Sequence, residues 1–236
     1  MPIPSLRAPN PIIYPDCDGE PIAENTLQFE YIVTIKEGLE WEFRDDDNVF
    51  VAGDLFWYPE EGHPEIRRAP DTLVVFGRPK EHRLSYRQWE EGGIAPQVTF
   101  EVLSPGNRGG ELIRKFEFYE RYGVEEYYIY DPDYGTLEGW VRANGKLQQI
   151  ADMNGWVSPR LGVKLELVNG ELRLIGRDGK PFLSYAELAE QRDRAEKAME
   201  EERRAREQAQ QRAEQERQRA ERLEAQLRAL GQEPPA

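Results

Sequence analysis

The chain has 236 residues, a formal net charge of −14, 39% hydrophobic and 32% charged residues, room for one sizeable α/β domain plus an appendage. A single cysteine, Cys17, excludes an intrachain disulfide and a cysteine-rich zinc site, and fits a reducing compartment. No apolar run approaches the ~18 residues of a membrane span, and the first ten residues lack the apolar core of a signal peptide, so a cytoplasmic protein without a membrane partner is expected.

Residues 1–21 are rich in proline and read as an extended N-terminal arm. Asn25 is placed to cap a helix over about 26–43, with Leu27, Ile32, Ile35, Leu39 and Phe43 as its apolar positions. The run Val49–Tyr58 reads as one strand, closed by a Pro/Glu/Gly turn. Strands at about 72–77 and 98–103 follow, separated by a long loop over 78–96. Loops of that length are often functional, and Trp89 within it either packs beneath the loop or stacks on a base. A helix over 110–122 ends at Gly123, a suitable C-terminal cap. Glu126–Asp131 is a strand that Pro132 stops.

Short strands at about 136–142, 147–151, 163–168 and 171–175 predict an antiparallel extension, with turns at Asn144-Gly145, Asn154-Gly155, Asn169-Gly170 and Asp178-Gly179. Residues 186–230 are dominated by Glu, Arg, Gln and Ala and contain neither Pro nor Gly, which predicts a long charged helix. A heptad places Met199, Ala213, Ala220 and Leu227 at one core position and Leu188, Ala195, Ala209, Leu223 and Leu230 at the other. Glu202, Arg206 and Glu216 interrupt it. The helix is either a dimerising coiled coil or a solitary solvated helix. Three parts result: the arm 1–21, a domain over 22–185 and the charged helix 186–236.

The charge is uneven. Residues 16–61 hold fourteen Asp/Glu against two Lys/Arg, whereas residues 66–88 hold six Lys/Arg against Asp71 and Glu81. Arg108, Arg114 and Lys115 add positive charge further on. The overall acidity predicts weak non-specific binding to nucleic acid, but a local basic track remains open, as does a basic loop with no partner.

Asp71 and Glu101 stand out because carboxylates are rare in strands this apolar and a buried charge needs a partner. A divalent cation such as Mg²⁺, which takes one or two carboxylates plus waters, is one such partner. If the two strands are antiparallel neighbours, both carboxylates reach the same sheet edge and the Val102 backbone carbonyl can serve as a third ligand. On the following helix Glu111, Lys115 and Tyr119 share one face. Lys115 can point back to the carboxylates, where a cation could orient a water or offset developing negative charge, or it can pair with Glu111 on the surface.

These segments resemble the Uma2 family of restriction-endonuclease-like proteins, within the PD-(D/E)XK nuclease superfamily. The resemblance is carried by Ala69–Gly77, Phe100–Pro105, Lys115, Tyr119 and Tyr122–Pro132, with Asp16, Asp18, Gly19, Pro21 and Glu24–Gln28 similar to the family's N-terminal segment. It covers roughly residues 12–190, and many relatives carry a similar charged C-terminal helix. It implies an α/β (α+β) fold, a mixed β-sheet core flanked by helices. It makes Asp71 the aspartate of the Pro-Asp motif and Glu101 the acidic residue of the second motif. Two positions on, where the superfamily has lysine, this chain has Leu103; the family resemblance moves that role to Lys115. Glu24 or Gln28 corresponds to an accessory polar residue near the first helix.

The expected activity is Mg²⁺- (or Mn²⁺-) dependent hydrolysis of DNA phosphodiester bonds, in a homodimer held through the C-terminal helix. The alternatives are a catalytically degenerate binding or assembly module and a nuclease for RNA or branched DNA. Gly106–Gly110 lacks the Walker and Rossmann spacings and reads as a turn. His63 and His82 have no ligand spacing, and Asp54 is a weaker candidate for an accessory ligand.

Overall fold

The computed structural model describes residues 12–16, 19, 23–105 and 109–229. Cys17, Asp18, Pro21, Arg108, Leu230, most of the arm and most of the glycine-rich turn lie outside them. The chain divides into two units, one ending at Ser184 and one beginning at Tyr185.

Helix α1 (Thr26–Glu42) opens at Asn25, whose side chain accepts the Gln28 N–H at 2.8 Å, the cap expected for this residue. Its far end is closed from outside the helix. Lys80 Nζ donates to the Phe43 and Arg44 carbonyls at 2.6 and 3.0 Å, a cation set at the negative end of the helix dipole. Gly38, inside α1, has the Phe182 ring where a Cβ would stand, 2.2 Å from it.

The run 49–58 is two strands rather than one, β1 (Val49–Ala52) and β2 (Trp57–Tyr58). The break falls at Asp54, which takes a φ of 47°, a left-handed conformation that no strand accommodates. Its N–H donates to the Pro70 carbonyl at 3.2 Å, so the turn is tied to the residue preceding Asp71. The strand β2 pairs in parallel with β4 (Tyr86–Arg87), which forms within the long loop.

The main sheet adds β3 (Thr72–Phe76), β5 (Val98–Val102), β6 (Glu126–Asp131), β7 (Thr136–Ala143) and β8 (Lys146–Gln149), in the order β1-β3-β5-β6-β7-β8. The β5–β6 pair is parallel and spanned by helix α2 (Gly110–Tyr122), while the other pairs are antiparallel. The fold is therefore mixed α/β around a mixed sheet. Alternation along the strands divides the core. Val74, Val98, Phe100 and Tyr128 pack with Ile32, Ile35 and Leu39 of α1. Leu73, Val75, Tyr127 and Ile129 pack with Phe118 and Tyr119 of α2. With both faces covered, the central strands read as apolar runs rather than as alternating ones.

The later strands do not all extend this sheet. β9 (Trp156–Val157), β10 (Lys164–Val168) and β11 (Glu171–Ile175) form a separate antiparallel sheet, whose Leu165, Leu172 and Leu174 join the core on the α1 side. At Asn144-Gly145 and Asn169-Gly170 both residues have positive φ, the two-residue hairpin geometry that Asn-Gly favours. The second unit is α3 (Tyr185–Ala229), 45 residues with none buried. Among the described residues no helix is long and apolar enough to cross a membrane.

Candidate active site

The β3–β5 register pairs Thr72 with Phe100 and Leu73 with Thr99. Continued one residue past the end of β3, it sets Asp71 opposite Glu101. Residues opposed across an antiparallel pair project to the same face, here the face that α2 covers.

Glu101 is 2% exposed, and both of its oxygens are taken. Lys115 Nζ donates to Oε2 at 2.7 Å and the Tyr119 hydroxyl to Oε1 at 2.6 Å. The spacing of four along α2 makes this joint approach possible. Glu111, the other carboxylate on that face, is exposed, and the partner of Lys115 is the buried Glu101. Trp57 stacks on Tyr119 at 6.3 Å and Tyr127 meets it edge-on at 5.0 Å, so its hydroxyl is held in place by aromatic packing.

Asp71 Oδ2 accepts the Val102 N–H at 2.6 Å. The same residue's carbonyl accepts Gln28 Nε2 at 2.8 Å, and Gln28 Oε1 accepts the Glu24 N–H at 2.8 Å. Glu24 in turn accepts the hydroxyl of Ser104, which is buried. Glu24 and Gln28 thus brace the end of β5, and Gln28 already uses one lone pair of the carbonyl expected to act as a ligand.

Burial and the nearby Glu101 charge push the Asp71 carboxyl well above the usual carboxylate range, with Asp54 adding to the rise. Lys115 and the Val102 N–H oppose it. Burial works against the Lys115 ammonium, but Glu101 and Asp71 outweigh it and raise its pKa. Burial, then Glu101, push the Tyr119 hydroxyl well up. Tyr127 is pushed up by burial and by the charges of Glu101 and Asp71, and its buried hydroxyl has no hydrogen-bond partner among the described residues.

The donor set can be tested against a cation. Two opposed carboxylates and a backbone carbonyl are all-oxygen donors, which suits Mg²⁺ or Mn²⁺ and does not suit a thiophilic metal. Among the described residues no group of three His, Cys, Asp or Glu could hold a metal ion. A bound cation would therefore have to keep most of its own waters, as Mg²⁺ commonly does. The unpartnered Tyr127 hydroxyl is a polar group suited to such a water. The residues fit on these terms.

The histidines lie elsewhere in the sequence and on the surface: His63 is exposed and pairs with Glu65 at 3.0 Å, and His82 is exposed. The basic stretch is largely consumed internally. Arg78 and Arg83 both reach Glu91, at 3.1 and 2.7 Å, and Lys80 closes α1. Trp89 is partly buried, 5.2 Å from the Tyr14 ring. Sequence reasoning missed Ser104, Tyr127 and Trp57 as neighbours of the site. Only Tyr127 carried a signal, since alternation in β6 assigns it to the face opposite Tyr128.

The molecule is a mixed α/β protein whose sheet sets Asp71 opposite Glu101 on neighbouring strands. The sequence pattern of the Uma2 family, described as "Putative restriction endonuclease", matches residues 14–167, and the chain belongs to that family. No curated protein matches. One solved structure similar to this chain is the crystal structure of a "putative nuclease belonging to DUF820" from Anabaena variabilis ATCC 29413, with 13% identity over 57% of this chain and 72% of that one, at a TM-score of 0.43.

Proposed function

We propose that this chain is a divalent-metal-dependent endonuclease that hydrolyses DNA phosphodiester bonds and that it pairs with a second copy through α3. The observation that carries the reading is the juxtaposition of Asp71 with Glu101 across β3 and β5, with Lys115 Nζ 2.7 Å from the latter. Asp71 and Glu101 would hold Mg²⁺ or Mn²⁺, with the Val102 carbonyl as a third oxygen. Bound there, the ion would supply a water of lowered pKa and polarise a phosphoryl oxygen.

The remaining work belongs to the chain's own groups. Tyr119 fixes the orientation of Glu101 through its 2.6 Å hydrogen bond. The Lys115 ammonium has three donors; it can hold the attacking water or offset the charge that gathers on the phosphate as it becomes five-coordinate. Gln28 sets the position of the Val102 carbonyl. No covalent enzyme intermediate is required.

A second reading, a nuclease fold retained as a binding module, is favoured by one observation: Glu101 and the Val102 carbonyl are already engaged by protein donors. Supercoiled plasmid incubated with the full chain in Mg²⁺ or Mn²⁺, beside Asp71→Ala and Lys115→Ala, separates the two. Nicking that both variants lose supports the nuclease. No cleavage by folded wild-type protein with either metal supports the binding module.

A further inference from the structure

We propose that α3 pairs with α3 of a second copy in antiparallel orientation and in a single register, both set by the charges that interrupt its seam. This rests on the pairing through α3 stated above and adds its direction and alignment.

The seam alternates between a first core position, with Tyr185, Met199, Ala213 and Ala220, and a second, with Leu188, Ala195, Ala209 and Leu223. Arg192 and Arg206 interrupt the first, and Glu202 and Glu216 the second. None of these residues is buried in the single chain; Tyr185 is 83% exposed, Met199 64% and Leu188 52%. In a parallel, in-register pair each position meets its own copy. That arrangement places Arg192, Glu202, Arg206 and Glu216 each against an identical charge, which is costly at a packed interface.

An antiparallel pair packs first positions against second ones. With Arg206 set against Glu202 of the second copy, the rest of the register follows. Arg192 meets Glu216, Met199 meets Ala209, and Ala213 meets Ala195. Ala220 meets Leu188, and Tyr185 meets Leu223. Every seam charge then faces its opposite and each of these apolar residues an apolar one, with Leu227 beyond the paired stretch, and twofold symmetry repeats each layer. A slip of one heptad in either direction leaves all four charges against apolar residues. The alignment is therefore selected by exclusion of its neighbours.

A second observation points the same way. Some glutamates off the seam find partners within their own helix, Glu200 with Arg203 and Arg204 at 2.8 Å each and Glu190 with Arg194 at 2.5 Å, while Glu201 and Glu207 show no ion pair among the described residues. Among the described residues Glu202, Arg206 and Glu216 make no ion pair. Arg192 reaches Asp193 at 3.3 Å and Glu196 at 3.8 Å. Three of the four seam charges are thus left for another chain. The alanines between them allow close approach of the two helices. In this register the two Tyr185 positions lie about 57 Å apart along the rod, at 1.5 Å per residue.

Sedimentation equilibrium of the full chain should show a dimer. In a Cys17→Ser background, Ala195→Cys and Ala213→Cys should each fail to cross-link alone and should cross-link when mixed and oxidised. Glu202→Arg should weaken dimerisation at least about tenfold, since it sets Arg against Arg in two layers, and adding Arg206→Glu should restore it. Self-cross-linking of either single variant, or indifference to Glu202→Arg, overturns the orientation and register while leaving pairing intact. A monomer overturns both. The nuclease reading is decided separately, by plasmid nicking.

Discussion

Glu101 has no oxygen left for solvent: a lysine and a tyrosine one helical turn apart hold it, in a pocket of aromatic rings. Asp71 is less well served, with one backbone donor against burial and a neighbouring charge of like sign. A carboxyl raised in this way contributes most to stability below its unfolded pKa, and that contribution is lost as pH rises through the raised folded value. Asp71→Asn removes the ionisation. It should therefore stabilise the chain by about 1 kcal/mol in metal-free buffer and abolish nicking in Mg²⁺ or Mn²⁺. In urea unfolding the gap between variant and wild type should widen as pH rises above the unfolded carboxylate value of about 4. Gln28→Ala is expected to cost about 1–3 kcal/mol by the same measurement, because it strands the buried Val102 carbonyl. Asp71 and Glu101 were legible because charge in an apolar run stands out, and Lys115 through the helix face it shares with Tyr119 and the family resemblance. Ser104 and Trp57 were not, because nothing in their spacing says what they touch.

Helix α1 and helix α2 follow their sequence signals closely, from the Asn25 cap to the left-handed Gly123 at 97°. Val49–Tyr58 misleads because its apolar content continues across Gly53-Asp54, while the backbone there turns to bond Pro70. β2, β4 and β9 are two-residue strands, too short to have a period. The separation of β9–β11 into their own sheet is a tertiary choice that hairpin turns alone do not reveal. Gly38 carries an expectation at this scale. Helix propensity says that Gly→Ala inside a helix gains roughly 1 kcal/mol. The Phe182 ring occupies the space a Cβ needs, so Gly38→Ala should instead destabilise by about 1–3 kcal/mol. Chemical denaturation of the variant decides the sign, and Phe182→Ala in the same chain should recover part of the loss.

The two units also differ in what stabilises them. The first has cores on both faces of its sheet, whereas α3 has no buried residue. All five tryptophans precede residue 185. A chain ending at Ser184 should therefore unfold, by tryptophan fluorescence, within about 0.5 kcal/mol of the full-length protein. Its far-UV helical signal should fall by more than half, since α3 holds 45 residues against 17 and 13 in α1 and α2. Loss of the fluorescence transition would show that the first unit depends on the helix.

The ion pair between Lys115 and Glu101 has a consequence for how such a site would be governed. Two cations, one tethered to the protein and one dissolved, would compete for the same buried carboxylate. The tethered one is always present at a fixed local concentration. Metal binding would then read out as an exchange, with a smaller thermal shift than an empty acidic pocket would give at the same metal concentration. The fraction of molecules competent to cut would follow the free divalent-ion level of their surroundings rather than the amount of protein made.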